Sequence, residues 1–210
     1  MITVHHLNNS RSQRVLWLLE ELALPYEIKA YSRDAVTNLA PPELKAVHPL
    51  GKSPVITDAG RTVIESGAIT DYIIRRHGGG RLAPTPGSDA HETYLQWLHF
   101  AEGSAMTPFL LALYTSRLGD AAAPLQPRIQ SEIGAHVAYF SQRLGSNDWL
   151  VENTLSGADI MMSFIAEIAT AQGLGEHFPN VAAYAARLQA RPAWQVAKAK
   201  TEPYNFTIKG

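Results

Sequence analysis

The periodicity of this chain changes at a glycine run, and that change limits the fold more than any single motif does. Before "GGG" at 78–80, short segments alternate between strand-like and helix-like patterns; after Asp89 every pattern is helical. "ITVHHL" (2–7) alternates and carries β-branched residues, which predicts a strand. From Ser10 to Leu24, the residues Val15, Leu18, Leu19 and Leu22 recur at the spacing of one helical face. Pro25 follows that helix, and "YEIKAY" (26–31) alternates again. "PPELKAVH" (41–48) opens with prolines suited to a first helical turn. "PVITD" and "TVIE" are joined by "DAGR", a hairpin signal. "SGAITDYIIRRH" then reads as a helix with Ile69, Tyr72 and Ile73 inward, stopped by the glycines. The order is β-α-β-α-β-β-α.

The stretch "GGGRLAPTPGSD" (78–89) is dense in Gly and Pro and reads as a linker. Beyond it Tyr94, Trp97, Leu98 and Ala101 share one helical face, and Phe109, Leu110 and Leu113 share another. "RIQSEIGAHVAYFSQRL", "ADIMMSFIAEIATAQGL", "VAAYAARLQA" and a short "AWQVAKA" continue the helical pattern to the end. The expectation is an α/β unit over residues 1–80, a linker at 81–88 and an all-helical domain over 89–210. With 210 residues, 46% of them hydrophobic, the chain can fill both cores.

Cysteine is absent, which removes disulfides, thiolate metal sites and cysteine nucleophiles together. Any sulfur chemistry must use a thiol that a ligand brings. Eighteen basic residues stand against nineteen acidic ones with no clustered positive face, so nucleic acid is not an expected partner. A charged leader and a long apolar stretch are both missing, which points to a soluble, cytoplasmic protein and no membrane partner. The eight histidines include no HExxH or i, i+4 pair, and His5 and His6, adjacent on a strand, face opposite ways; no metal site is expected.

Three short stretches could carry chemistry. In "HPLGKSPVI" (48–56) a proline opens a strand. Were the Ser53–Pro54 bond cis, it would turn the Ser53 backbone outward toward an extended ligand; a trans proline at an edge strand is the plainer alternative. Glu65-Ser66 stands at the next helix start, with Ser66 at the N-cap and Ile69 at the third helical position, so no capping box closes that end. Open N–H groups there suit a carboxylate, and Glu65 suits an ammonium, a pairing that fits an α-amino acid head group. An ordinary cap beside a solvated glutamate is the competing reading. In "LNNSRSQRVLW" (7–17), Ser10 or Asn9 lies at a helix N-terminus and could donate to an anion, or simply cap the helix. Lowering a thiol by ~2 pKa units from ~8.5 needs ~2.7 kcal/mol of preference for the thiolate, within reach of one hydroxyl plus a helix end.

In this order and at these spacings, "NNSRSQRVLWLLEEL", "HPLGKSPVI", "ESGAITDYI", the Pro-rich linker, "LSGADIMM" and "FPNVAAYAARLQARPAW" resemble the glutathione transferase superfamily over essentially the whole chain. The details look most like a fungal and bacterial subgroup with an "HPLG-(K/R)-SP" signature. The resemblance implies a thioredoxin-like first domain and a helical-bundle second one, with Ser156 and Asp159 as a structural N-capping box. It implies glutathione as co-substrate with no further cofactor: Ser53 pairing through its backbone with the cysteinyl part beside a cis Pro54, Glu65 and Ser66 on the γ-glutamyl end, and Lys52 on the glycyl carboxylate. Ser10 would hydrogen-bond the sulfur. Counting back from Arg14-Val15, however, the catalytic serine position of several classes falls on Asn9, so Ser10 leads with Asn9 beside it.

The hydrophobic electrophile would meet a helical wall containing His99, Met106, Phe109 and Tyr114, and Glu102 could reach the ligand's amino group, even across a dimer interface. Plain core packing is the alternative for Met106, Phe109 and Tyr114. The resemblance further implies a homodimer with a detoxifying role. The activity expected is thiolate stabilisation for attack on a hydrophobic electrophile; glutathione-dependent peroxide or disulfide reduction, and non-catalytic binding, are the alternatives.

Overall fold

The computed structural model describes residues 1–202 and 204–206. Contacts divide the chain into two compact units: Met1–Ala83 with Gln189–Asn205, and Pro84–Leu188 with Phe206. No helix among the described residues is long and apolar enough to cross a membrane.

The first unit follows the expected order. Strands β1 (Ile2–Leu7), β2 (Tyr26–Tyr31), β3 (Val55–Asp58) and β4 (Arg61–Ile64) alternate with helices α1 (Ser12–Glu21), α2 (Pro42–Val47) and α3 (Ser66–His77). They form a four-stranded sheet in the order β2-β1-β3-β4, with β1 parallel to β2 and antiparallel to β3. β1 is paired on both edges, and His5 and His6, which point to opposite faces of the sheet, are both buried. His5 stacks on Tyr31, whose ring joins Leu7 and Leu44 of α2 in a small cluster, while His6 reaches α1. The β3–β4 turn is Ala59-Gly60, both at positive φ (48° and 77°), the conformation a two-residue hairpin requires. Gly60 takes it freely, whereas Ala59 is strained there.

Helix α1 is buried on more than one stripe: Val15, Leu16, Leu18 and Leu19 are 0% exposed and Trp17 only 1%. The sheet covers one side. The other is packed by the last helix, α9 (Pro192–Ala199), which here belongs to the first unit and not, as its helical pattern suggested, to a helical domain running to residue 210. Charge fixes this docking. Arg191 makes two hydrogen bonds to the Glu21 carboxylate, at 2.5 and 2.9 Å, and Trp17 Nε1 donates to it at 2.9 Å. Lys200 pairs with Glu20, which also accepts from the Tyr26 hydroxyl. Burial, with the Glu20 carboxylate alongside, pushes that phenol up to about 12.

The second unit is helical: α4 (Asp89–Phe100), α5 (Met106–Thr115), α6 (Gln126–Leu144), α7 (Gly157–Ala171) and α8 (Pro179–Gln189). Ser88 caps α4 by accepting from the His91 N–H. A π-helical turn, Ala101–Ala105, separates α4 from α5, just before Pro108, which cannot donate to the preceding turn. On α6, Ile129, Ile133, Val137, Phe140 and Leu144 form one buried stripe. Helix α7 is apolar nearly all round and sits in the core, opened by the expected box in which Ser156 and Asp159 cap each other's backbone.

Candidate functional site

Strand register gathers the candidate residues of the first unit. The β1–β3 ladder ends at His5–Val55 and the β3–β4 ladder at Val55–Ile64. Leu7 and the loop after it, Ser53–Pro54 before β3, and Glu65-Ser66 after β4 therefore share one end of the sheet, the edge formed by the C-terminal ends of β1 and β4 and the start of β3. The Ser53–Pro54 peptide is cis.

Ser10 is 6% exposed, and its Oγ lies 2.8 Å from Ser12 Oγ and 3.2 Å from Ser53 Oγ. Ser53 Oγ donates to the His5 carbonyl at 2.8 Å and accepts the Leu7 N–H at 3.2 Å, which ties the cis turn to the central strand. Ser12 Oγ in turn meets His6 Nδ1 at 2.7 Å. Burial holds the His6 imidazole below its ordinary range, with Glu202 opposing, so the ring is neutral at pH 7. A buried chain of polar groups thus runs from His6 through Ser12 and Ser10 to Ser53.

Asn9 is placed differently. It has positive φ (50°), its side chain is exposed, and its Oδ1 accepts the backbone N–H of Asn205 at 2.8 Å. The Arg33 guanidinium holds the same loop, donating to the carbonyls of Asn8, Asn9 and Asn38. Of the two candidate donors, Ser10 is the one directed toward Ser53.

Glu65-Ser66 departs in detail from the sequence expectation. Helix α3 begins at Ser66, so Glu65 occupies the cap position and Ile69 is one residue further in than expected. Glu65 has φ 68° and makes no side-chain cap bond; its carbonyl accepts the Ile69 N–H at 2.8 Å. A non-glycine residue in that conformation is strained; with no side-chain cap the first turn is open to an anion, and Glu65 itself is exposed. Lys52 is exposed one residue before Ser53. Lys52, Ser53, Pro54, Glu65, Ser66 and Ser10 thus lie at one edge, with a cation, an anion, an open helix end and a hydroxyl among them.

Of the residues expected in the co-substrate wall, Met106 is 4% exposed and Phe109 1%, the burial that the core-packing alternative calls for. Tyr114 is 56% exposed, and Glu102 is half-buried in the π-helical turn. His6 and Ser12 were missed, because weighing the histidines only as metal ligands ignores what a strand histidine can do to a Ser-x-Ser loop. The nearest signal was the inward face of β1 directly preceding that loop. Among the described residues no three His, Asp or Glu side chains group to hold a metal ion.

Comparison with known proteins agrees along the whole chain. The N-terminal domain of the glutathione S-transferase family matches residues 1–75 and its C-terminal domain matches residues 104–192. Glutathione S-transferase 3 of Schizosaccharomyces pombe is 34% identical, covering 99% of this chain and 91% of its own. Glutathione S-transferase 1 of Saccharomyces cerevisiae is 30% identical with 95% of each covered. A crystal structure of a glutathione S-transferase from Actinobacillus pleuropneumoniae superposes with a TM-score of 0.88 at 34% identity, covering 98% of this chain and 95% of that one. The chain belongs to the glutathione S-transferase family and is a glutathione transferase.

Proposed function

We propose that glutathione lies along the shared edge of the first unit, with its sulfur at Ser10. The Ser53 main chain pairs with the cysteinyl residue, the open turn of α3 at Ser66 takes the γ-glutamyl carboxylate, Glu65 takes its ammonium, and Lys52 takes the glycyl carboxylate. Ser10 donates to the sulfur and favours the thiolate, which attacks a hydrophobic electrophile in a cytoplasmic, detoxifying role. The observation carrying this reading is the convergence of Ser10, Ser53 and the uncapped start of α3 on one sheet edge. The enzyme contributes a lowered thiol pKa and proximity.

The test is retention on immobilised glutathione, followed by conjugation of a chloronitrobenzene and turnover of an organic peroxide. Retention with conjugation is expected; peroxide turnover alone would transfer the reading to reduction, and loss of retention would end it. Ser10→Ala is expected to raise the pKa of bound glutathione, followed by thiolate absorbance, whereas Asn9→Ala is expected to leave it.

We further propose a homodimer. The second unit carries a groove of about 670 Å³ on α4 and α6, lined by Trp97, Phe100 and Tyr139 with Glu92 and Arg143 beside them. The three aromatic rings pack edge-on and tilted at 5.3 to 5.8 Å. An aromatic centre with one acid and one base can match a second copy of itself about a two-fold axis. Sedimentation equilibrium should return twice the mass of the chain, and Phe100→Arg should halve it. A wild-type monomer at micromolar concentration would refute the proposal.

A further inference from the structure

We infer that His6 and Ser12 are positioning residues for the thiol chemistry, holding a hydrogen-bonded chain that aims the Ser10 proton at the glutathione sulfur. The inference rests on Ser10 being the sulfur's donor, and the Ser10→Ala variant separates the two claims.

A hydroxyl has one proton. Ser10 can give it to Ser12, to Ser53 or to a sulfur. In this structure Ser10 gives it to Ser53 at 3.2 Å, where the Ser53 oxygen accepts it beside the Leu7 N–H while Ser53's own proton goes to the His5 carbonyl; a thiolate, being charged, is the stronger acceptor and draws that proton from Ser53. Ser12 is the remaining competitor. If Ser12 donates to His6 Nδ1, its oxygen is a good acceptor and draws the Ser10 proton away from the sulfur. If Nδ1 carries the ring proton, Ser12 accepts from His6 and donates to Ser10, and the Ser10 proton is left for the thiolate. A neutral imidazole offers either arrangement, one nitrogen donating and the other accepting. A thiolate at Ser10 selects the second, in which every bond points toward the charge and each strengthens the next.

Two features set this chain apart from ordinary side-chain satisfaction. Ser12 opens α1 but does not cap it: the cap position is Arg11 and no side-chain cap bond is made, so the Ser12 hydroxyl is committed to its neighbours in the chain. The groups are also shielded, with Ser12 0%, His6 5% and Ser10 6% exposed, so bulk water does not compete for the protons.

The experiment is a pH titration of thiolate absorbance for bound glutathione in wild type and variants, with KM for glutathione and kcat measured alongside. Ser10→Ala is expected to give the largest rise in thiol pKa. His6→Phe and Ser12→Ala are each expected to raise it by about 0.3–0.5 units, a two- to threefold smaller thiolate fraction below the pKa. Their KM for glutathione should change less than twofold, with kcat falling in proportion to the thiolate and recovering at high pH. His6→Asn, whose amide can place an N–H where Nδ1 stands, and Ser12→Thr should restore the wild-type value. If Ser10→Ala moves the pKa while His6→Phe and Ser12→Ala do not, the chain is only structural and the inference is wrong. If His6→Asn behaves like His6→Phe, donation from the ring position is not the cause, and the inference is again wrong. If Ser10→Ala itself changes nothing, the assignment of the sulfur's donor fails and the inference falls with it. Should His6→Phe not fold, Ser12→Ala and Ser12→Thr decide alone.

Discussion

Replacing Asp159 by alanine should cost about 4 kcal/mol of stability at pH 5. The side chain is 0% exposed and accepts four hydrogen bonds from three residues: the Leu150 N–H at 3.0 Å, the Ser156 N–H at 2.9 Å, Ser156 Oγ at 3.1 Å and the Tyr184 hydroxyl at 2.8 Å. Truncation strands three buried donors at about 1–3 kcal/mol each and removes half of a capping box at about 1 kcal/mol. Water entering the space keeps the sum near its lower end. Against a typical total of about 5–15 kcal/mol this is a large fraction. With a urea slope of about 2 kcal/mol per molar, the midpoint should fall by about 2 M at fixed protein concentration, followed by tryptophan fluorescence. The pH dependence has a definite sign. Burial pushes the Asp159 carboxyl up to about 6, against the lowering effect of its hydrogen bonds, from an unfolded value of 3.8. Between those values the folded protein holds a proton that the unfolded chain has released, so this group's contribution is full below about 4 and declines as pH rises through 6. The shift corresponds to about 3 kcal/mol, so the gap between wild type and Asp159→Ala should narrow from pH 5 to pH 7. A loss under about 1 kcal/mol at pH 5, or a gap that widens toward pH 7, would refute the reasoning.

Asp58 should behave in the opposite sense. Burial raises its carboxyl, but the donors His77, at 2.7 Å, and Tyr72, at 3.0 Å, outweigh it and hold the group below its usual range. Its stabilisation is therefore present above about pH 4 and lost as pH falls through the lowered value, so Asp58→Asn should flatten the acid limb of an unfolding curve; an unchanged limb would count against this. At the other end of the first unit, Arg191→Ala should cost about 1–2 kcal/mol by leaving Glu21, 9% exposed, with Trp17 as its remaining partner among these contacts. Hydrogen exchange in residues 192–202 should then speed up selectively, and uniform exchange across the first unit would contradict a local docking role.

The strand and helix order of the first unit was legible because its signals are local. β-Branched alternation, a Pro-Gly-Asp punctuation and a 3.6-residue stripe each act over a few residues, and each placed its element within two or three residues of its observed bounds. The capping box at Ser156–Asp159 was legible for the same reason. The edge that gathers Ser10, Ser53 and Glu65 followed from register, which a hairpin of known length fixes. Local reading failed where a position depends on what touches it from far along the chain. Met106 and Phe109 have the composition of a ligand wall and the burial of a core, and spacing cannot separate the two. Asn9 and Ser10 are neighbours on one loop. Only the Asn205 backbone and the Arg33 guanidinium, 196 and 24 residues away, turn one side chain outward and leave the other facing Ser53.

Helix α9 shows the limit most clearly. Its amphipathic pattern announces an apolar face containing Trp194 and Ala197 but says nothing about what that face covers. The answer was written elsewhere, in an α1 whose run from Val15 to Leu19 is apolar at five consecutive positions. A helix packed only on a sheet needs an apolar stripe and leaves its far side polar. The Leu16-Trp17 pair fills that far side with hydrophobic volume, and a second helix must therefore lie against it. The acidic pair Glu20-Glu21 at the end of α1 then requires cations, which Arg191 and Lys200 supply from either end of α9. Two features that look redundant in α1, too much apolar surface and an uncompensated acidic end, are together the signature of a docked partner from the far end of the sequence. The same docking brings Thr201 to Gln13 and Asn205 to Asn9, so the segment that buries α1 also braces the loop presenting Ser10.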